Sequence, residues 1–220
     1  MGSSGDRGGD GRGDRGGDGR GNGRGDALPG QGTSITGRGS ATTVRLHDLA
    51  VDADAALRAQ VAALAGVPAD AVRTGRLCPA CGSSAHGRPW ARVTGRAESI
   101  GLRNRVESDA GIGVSLSRSG PHLLTAVHLG GGIGVDIEEI AAVDARWDPS
   151  LVLAPGEEHL ARTAEDRARL WAGKEAVLKL LGTGLRTPMP EVRLADVDVR
   201  KVAAPSGFVA AVALPAGPPG

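Results

Sequence analysis

The sequence predicts an α+β fold, and three stretches carry that prediction. Residues 113–119 (GVSLSRS) alternate with the period of a half-buried strand, Val114 and Leu116 on one face and Ser115, Ser117 and Ser119 on the other. Residues 122–128 and 133–138 are two further strand-like runs separated by LGGG, which reads as a β-hairpin with a glycine-rich loop. A helix over 164–181 is punctuated at both ends, by Thr163 with Asp166 as a variant capping box and by Gly182 at the position of a C′ glycine.

The remaining elements follow along the chain. GDRGGDGR stands at 5–12 and again at 13–20, and the first 26 residues alternate five Arg and five Asp among glycines with no apolar residue after Met1. Burial there cannot offset the entropy of ordering, so residues 1–40 are expected to be a disordered tail. The Arg-Gly-Gly triplets are the kind that contact RNA, but the interleaved aspartates cancel the charge such contact needs. From Asp52 the pattern turns helical, with Leu57, Val61 and Leu64 on one face, Asp52 or Asp54 as N-cap and Gly66 as the stop. That helix should pack on a sheet. Short strand-like runs follow near Val72 and at 90–93, around a loop at 82–89, and residues 97–110 are weakly helical. Strands at 191–202 and 208–214 complete the fold before a Pro/Gly tail at 216–220.

A formal net charge of +1 provides no field to recruit nucleic acid or an anionic membrane. No apolar run approaches the roughly 20 residues that span a bilayer, and no apolar signal core opens the chain. The expectation is a soluble, cytoplasmic monomer with no nucleic-acid or membrane partner. With three Trp, one Phe and no Tyr, the core must be aliphatic and base-stacking platforms are lacking. Trp90, Trp147 and Trp171 read as packing residues, and His122 and His128 as ends of an apolar strand. Cys78-Pro-Ala-Cys81 with His86 offers three zinc-type ligands where a closed structural site wants four, and it reads as a plain turn.

Chemistry concentrates on two elements. Of 26 basic residues only three are lysine, yet Lys174 and Lys179 straddle Glu175 in WAGKEAVLK. Glu175 and Lys179 form an i,i+4 pair, worth only about 0.2–0.5 kcal/mol on an exposed helix face. Trp171, Glu175, Leu178 and Lys179 share that face, and Lys174 lies toward a neighbouring edge. On the last strand of the central block Gly134, Asp136 and Glu138 face one way and Ile133, Val135 and Ile137 the other, so the two carboxylates sit about 7 Å apart at the backbone. With Glu157 or Glu158 as a third acid, the set suits a hard oxygen-ligated cation beside a phosphate, for which Mg²⁺ is the fitting ion.

The ordered motifs HGRP (86–89), VSLSRSG (114–120), IGVDIE (133–138) and WAGKEAVLKLLGTGL (171–185) resemble the 4′-phosphopantetheinyl transferases, specifically the double-length, surfactin-synthetase-activating type. The resemblance implies the fold of that family: two similar α+β halves, 41–125 and 126–215, in a pseudo-twofold arrangement with coenzyme A between them. It implies Mg²⁺-dependent transfer of the phosphopantetheine arm to a serine of an apo acyl or peptidyl carrier protein, with release of 3′,5′-ADP. Asp136, Glu138 and Glu157 would hold the metal, Glu175 would act as general base, and Lys179 would neutralise the leaving phosphate. Coenzyme A contacts carry over to Arg88, Ser117, Arg118, Lys174 and Lys179. The sequence departs from the family at Arg118, where histidine is usual, at Thr183, where lysine is common, and before Asp52, where the basic nucleotide-binding helix is largely absent. Those departures support one alternative, a non-catalytic paralogue that binds coenzyme A or carrier domains.

Overall fold

A computed structural model describes residues 33–37, 40–94 and 111–216. The rest of the expected tails and the weak helix at 97–110 lie outside the described residues. In chain order the elements are β1 (Thr33–Gly37), β2 (Ser40–Asp48), α1 (Ala53–Ala65), β3 (Val72–Leu77), β4 (Arg88–Val93), β5 (Ile112–Ser119), β6 (His122–Leu129), β7 (Gly134–Glu139), α2 (Ile140–Ala145), α3 (Pro149–Val152), α4 (Ala164–Leu181), β8 (Asp198–Val202) and β9 (Phe208–Leu214). Thr33–Gly37 and Ser40, placed by the sequence reading in a disordered tail, are β1 and the first residue of β2, and β1 pairs antiparallel with β2.

Local chemistry sets both main helices. Asp52 caps α1 by accepting from the Ala55 N–H at 2.7 Å, and Gly66 ends it at φ 68°. At α4 the Thr163 hydroxyl accepts from the Asp166 N–H while the Asp166 carboxylate accepts from the Thr163 N–H, each at 3.1 Å, and Gly182 ends the helix at φ 71°.

Two antiparallel sheets lie between these helices. One has the order β1-β2-β6-β5, the other β7-β9-β8, and β3-β4 form a separate hairpin. Period-two alternation assigns their faces. From β6, Val127 packs with Leu57 and Val61 of α1, whereas Leu124 and Ala126 pack with Val135, Ile137 and Val212 of the second sheet. From β9, Val209, Ala211 and Ala213 pack beneath α4, and Ala210, Val212 and Leu214 face back to the first sheet. The layers therefore run helix, sheet, sheet, helix around an aliphatic core.

Three expectations change. The glycines at 130–132 do not close a hairpin: β6 pairs with β2 and β5, while β7 pairs with β9. The change of sheet thus falls between Leu129 and Gly134, and a boundary at 125/126 would cut β6. The strand expected over 191–202 is shorter, because 3-10 turns at Met189–Glu191 and Leu194–Asp196 precede Asp198–Val202.

Serine replaces a β-ladder where the sheets meet. The Ser115 and Ser119 hydroxyls accept from the Val135 and Glu139 N–H groups, both at 3.1 Å, and Ser117 donates to Asp136 at 2.6 Å. The Ser115 and Ser119 hydroxyls thereby satisfy two N–H groups on an edge of β7 that would otherwise be buried unpaired, and Ser117 between them serves the Asp136 side chain.

Candidate active site

Strand β7 and helix α4 build the site, and a glycine brings them together. A Cβ on Gly134 would lie 1.8 Å from the Ala176 carbonyl oxygen, so only glycine permits this approach. Two residues along β7, Asp136 faces α4 and is 2% exposed. Its Oδ1 accepts from Lys179 Nζ at 2.5 Å and from the Ser117 hydroxyl at 2.6 Å. Its Oδ2 is buried and has no hydrogen-bond partner.

Glu138 and Glu175 are half-buried neighbours of that pair. Burial raises the Asp136 carboxyl above its ordinary range, opposed chiefly by Lys179 and then by the hydrogen bond from Ser117. Burial and the Asp136 charge also raise Glu175, against Lys179. Glu138 is pushed up to about 7, chiefly by burial and then by Asp136 and Glu175, with Lys179 and the Trp171 indole N–H acting the other way. Three mutually repelling carboxyls therefore share one ammonium.

That imbalance tests the fit of a divalent cation. An orphaned carboxylate oxygen at Asp136, two further acids held above their ordinary range and an oxygen-only donor set are what a hard cation requires. Asp136, Glu138 and Glu175 fit Mg²⁺. Their ligand atoms do not already converge on one point: among the described residues, only Cys78, Cys81 and His86 form a trio with ligand atoms within 4.8 Å of one another.

Two expected site residues are engaged elsewhere. Lys174 is fully buried, its Nζ donating to Glu157 at 2.5 Å, to the Val152 carbonyl at 2.7 Å and to the Met189 carbonyl at 3.2 Å. It ties α3 and the turn at Met189 to α4 and is closed to a phosphate. Glu157, expected as the third metal ligand, is occupied by Lys174 and by the Ala154 N–H, and Glu175 takes its place beside Asp136 and Glu138. Five residues along a helix is about 500° of rotation, so Lys174 and Lys179 are bound to diverge.

The remaining candidates divide in the same way. Ser117, expected on coenzyme A, is buried and spends its proton on Asp136. Arg118 is exposed on the opposite face of β5 and lines neither cavity described below. Arg88 stands at the cleft, donating to the Leu180 carbonyl at 3.3 Å, with Gly182 so close that an added Cβ would lie 2.6 Å from its guanidinium.

Arg88 separates two adjoining cavities. One of about 630 Å³ is lined by Trp90, Arg92 and the glycines 111, 113, 131 and 132. The other, of about 370 Å³, is lined by Arg76, Arg88, Lys179 and Arg186 with no acidic residue. Four cations around a cleft that opens beside a carboxylate cluster suit a polyanion bridged to a metal. Arg76 and Arg186 were missed from the sequence, because in a chain with so many arginines neither stands out. The serine ladder did leave a signal, three hydroxyls at strand spacing.

No curated protein matches the chain. Residues 132–211, which hold β7, α4 and every acid of the site, match the family model of the 4′-phosphopantetheinyl transferase superfamily.

Proposed function

We propose that the protein transfers the 4′-phosphopantetheine arm of coenzyme A to a serine of an apo acyl or peptidyl carrier protein in a Mg²⁺-dependent reaction. The observation that carries this reading is the buried Asp136 with the half-buried Glu138 and Glu175 sharing the single ammonium of Lys179, beside a cavity whose charged lining residues are all cations. The match over 132–211 supports the transferase class. The helix–sheet–sheet–helix layering supports the double-length arrangement, α1 with the first sheet and α4 with the second forming the two halves.

In the proposed reaction the serine oxygen forms a bond to the phosphorus that carries the pantetheine arm, and the bond from that phosphorus to the departing 3′,5′-ADP oxygen breaks. Glu175 takes the serine proton, directly or through water. Lys179 meets the charge that develops on the leaving phosphate. Arg88, with Arg76 and Arg186, holds the nucleotide phosphates. Mg²⁺, when bound by Asp136, Glu138 and Glu175, supplies charge neutralisation at the pyrophosphate. Arg76 and Arg186 place at this cavity the positive charge that Arg118, facing away, and the uncharged Thr183 do not.

Intact mass spectrometry of an apo carrier protein incubated with this protein, coenzyme A and Mg²⁺ tests the reading. The expected result is a mass increase of one phosphopantetheine group, abolished by EDTA and by Glu175→Gln. Coenzyme A binding without any modification, across acyl and peptidyl carriers, would establish the non-catalytic alternative instead.

A further inference from the structure

The loop between β3 and β4 holds a cluster that the proposed transfer does not use. Cys78-Pro79-Ala80-Cys81-Gly82 folds into a tight turn, in which the Gly82 N–H donates to the Cys78 carbonyl and the Cys78 N–H to the Ser83 carbonyl, each at 2.9 Å. Gly82 stands at φ 71°, a conformation that glycine adopts without strain. The turn brings both thiols to one side, and the loop then returns His86 so that its Nε2 is 3.5 Å from Cys81 Sγ. The three ligand atoms lie within 4.8 Å of one another.

Those separations match a metal as well as a hydrogen bond. Zinc bonds of about 2.3 Å to sulfur and about 2.0 Å to nitrogen, at a tetrahedral angle, place the two ligand atoms roughly 3.5 Å apart. We propose that Cys78, Cys81 and His86 form a site for a soft divalent cation, zinc by its ligand chemistry, with the fourth position open to water or an exogenous donor. Two thiolates and an imidazole select zinc over magnesium, so the site is chemically separate from the carboxylates of β7 and α4. Three protein ligands with an open fourth position is the composition of exchangeable zinc sites rather than closed structural ones, and the exposure of Cys81 and His86 leaves that position accessible.

The location gives the site a consequence. Cys78 and Pro79 wall the cationic cavity, and Gly87, at φ 105°, passes so close that an added Cβ would meet the Cys78 backbone at 2.5 Å. A metal at the turn therefore fastens the base of the loop from which Arg88 enters the cleft.

The test uses the tag-free full chain, isolated under reducing conditions and dialysed with and without added zinc. The expected result is about one zinc per chain by elemental mass spectrometry, not displaced by Mg²⁺. The Co²⁺-loaded protein should show a sulfur-to-cobalt charge-transfer band and intense tetrahedral d–d bands. Cys81→Ser and His86→Ala should each weaken zinc binding by more than the roughly 10–100-fold that loss of an outer-shell partner costs. Both side chains are exposed, and unchanged thermal melting of the metal-free variants would establish that they fold. Retention of no zinc, a cobalt spectrum without the sulfur band, or zinc binding indifferent to both substitutions would each overturn the proposal. None of these readouts depends on transferase activity.

Discussion

Lys179 Nζ lies 2.5 Å from Asp136 Oδ1, the one ion pair that Asp136, Glu138 and Glu175 make among the described residues. The Asp136 side chain is 3% exposed, whereas that of Lys179 is 29% exposed. The aspartate therefore depends on the lysine more than the lysine on the aspartate. Lys179→Met should destabilise the metal-free protein by ~3–5 kcal/mol, since it leaves a buried carboxylate uncompensated. Urea unfolding with and without Mg²⁺ checks this, and Mg²⁺ should restore more stability to the variant than to the wild type, because no ammonium then competes for Asp136.

Glu138 makes stability depend on pH. Its folded-state value of about 7 lies above the ordinary 4.5, so the folded chain holds this proton more tightly than the unfolded chain. The stabilisation is complete below 4.5 and is lost as pH rises to about 7. Melting temperature in EDTA should show a falling contribution across that window, absent in Glu138→Gln. Mg²⁺ affinity should rise across the same window, since the ion requires the carboxylate.

Lys174 and Glu157 form a structural pair. Lys174→Met should cost ~3–5 kcal/mol by stranding a carboxylate that is 12% exposed. Adding Glu157→Gln should recover at least ~1 kcal/mol of that, because a neutral amide still accepts from the Ala154 N–H. Denaturant titration of the single and double variants measures the coupling. In the folded double variant the KM for coenzyme A should be unchanged, which would not hold if Lys174 contacted a phosphate.

Gly134→Ala probes the approach of strand to helix. The added methyl meets backbone, which cannot rotate away, so the expected cost is at least the ~1–3 kcal/mol of overpacking. Hydrogen exchange should show β7 loosening from α4, and transferase activity should fall with it as Asp136 moves off Lys179.

The features legible in the sequence were those set by neighbours along the chain. The Asp52 cap, the Thr163–Asp166 box, the glycines at 66 and 182 and the alternation of β5 and β7 all stand where the residue pattern placed them. Asp136, Glu138, Glu175 and Lys179 were also legible, because strand and helix periodicity assigns each to a face before any packing is known. Arg88, singled out by its motif, stands at the cleft.

The remainder was decided by contacts between distant segments. Glu157, with Glu158 as its alternative, was expected as the third acid of the site and Glu175 as a base, and spacing could not say which of them stands beside Asp136 and Glu138. Folding placed Glu157 against Lys174, 17 residues away in sequence, and Glu175 beside the acids of β7. Pairing of β7 with β9 in place of β6, the turn of Ser117 toward Asp136 and the meeting of Arg76 with Arg186 around one cavity have the same origin. Periodicity fixes which face a side chain occupies, but a hydrogen bond or ion pair forms only where packing brings two atoms within about 3 Å. That distance is a property of the assembled core.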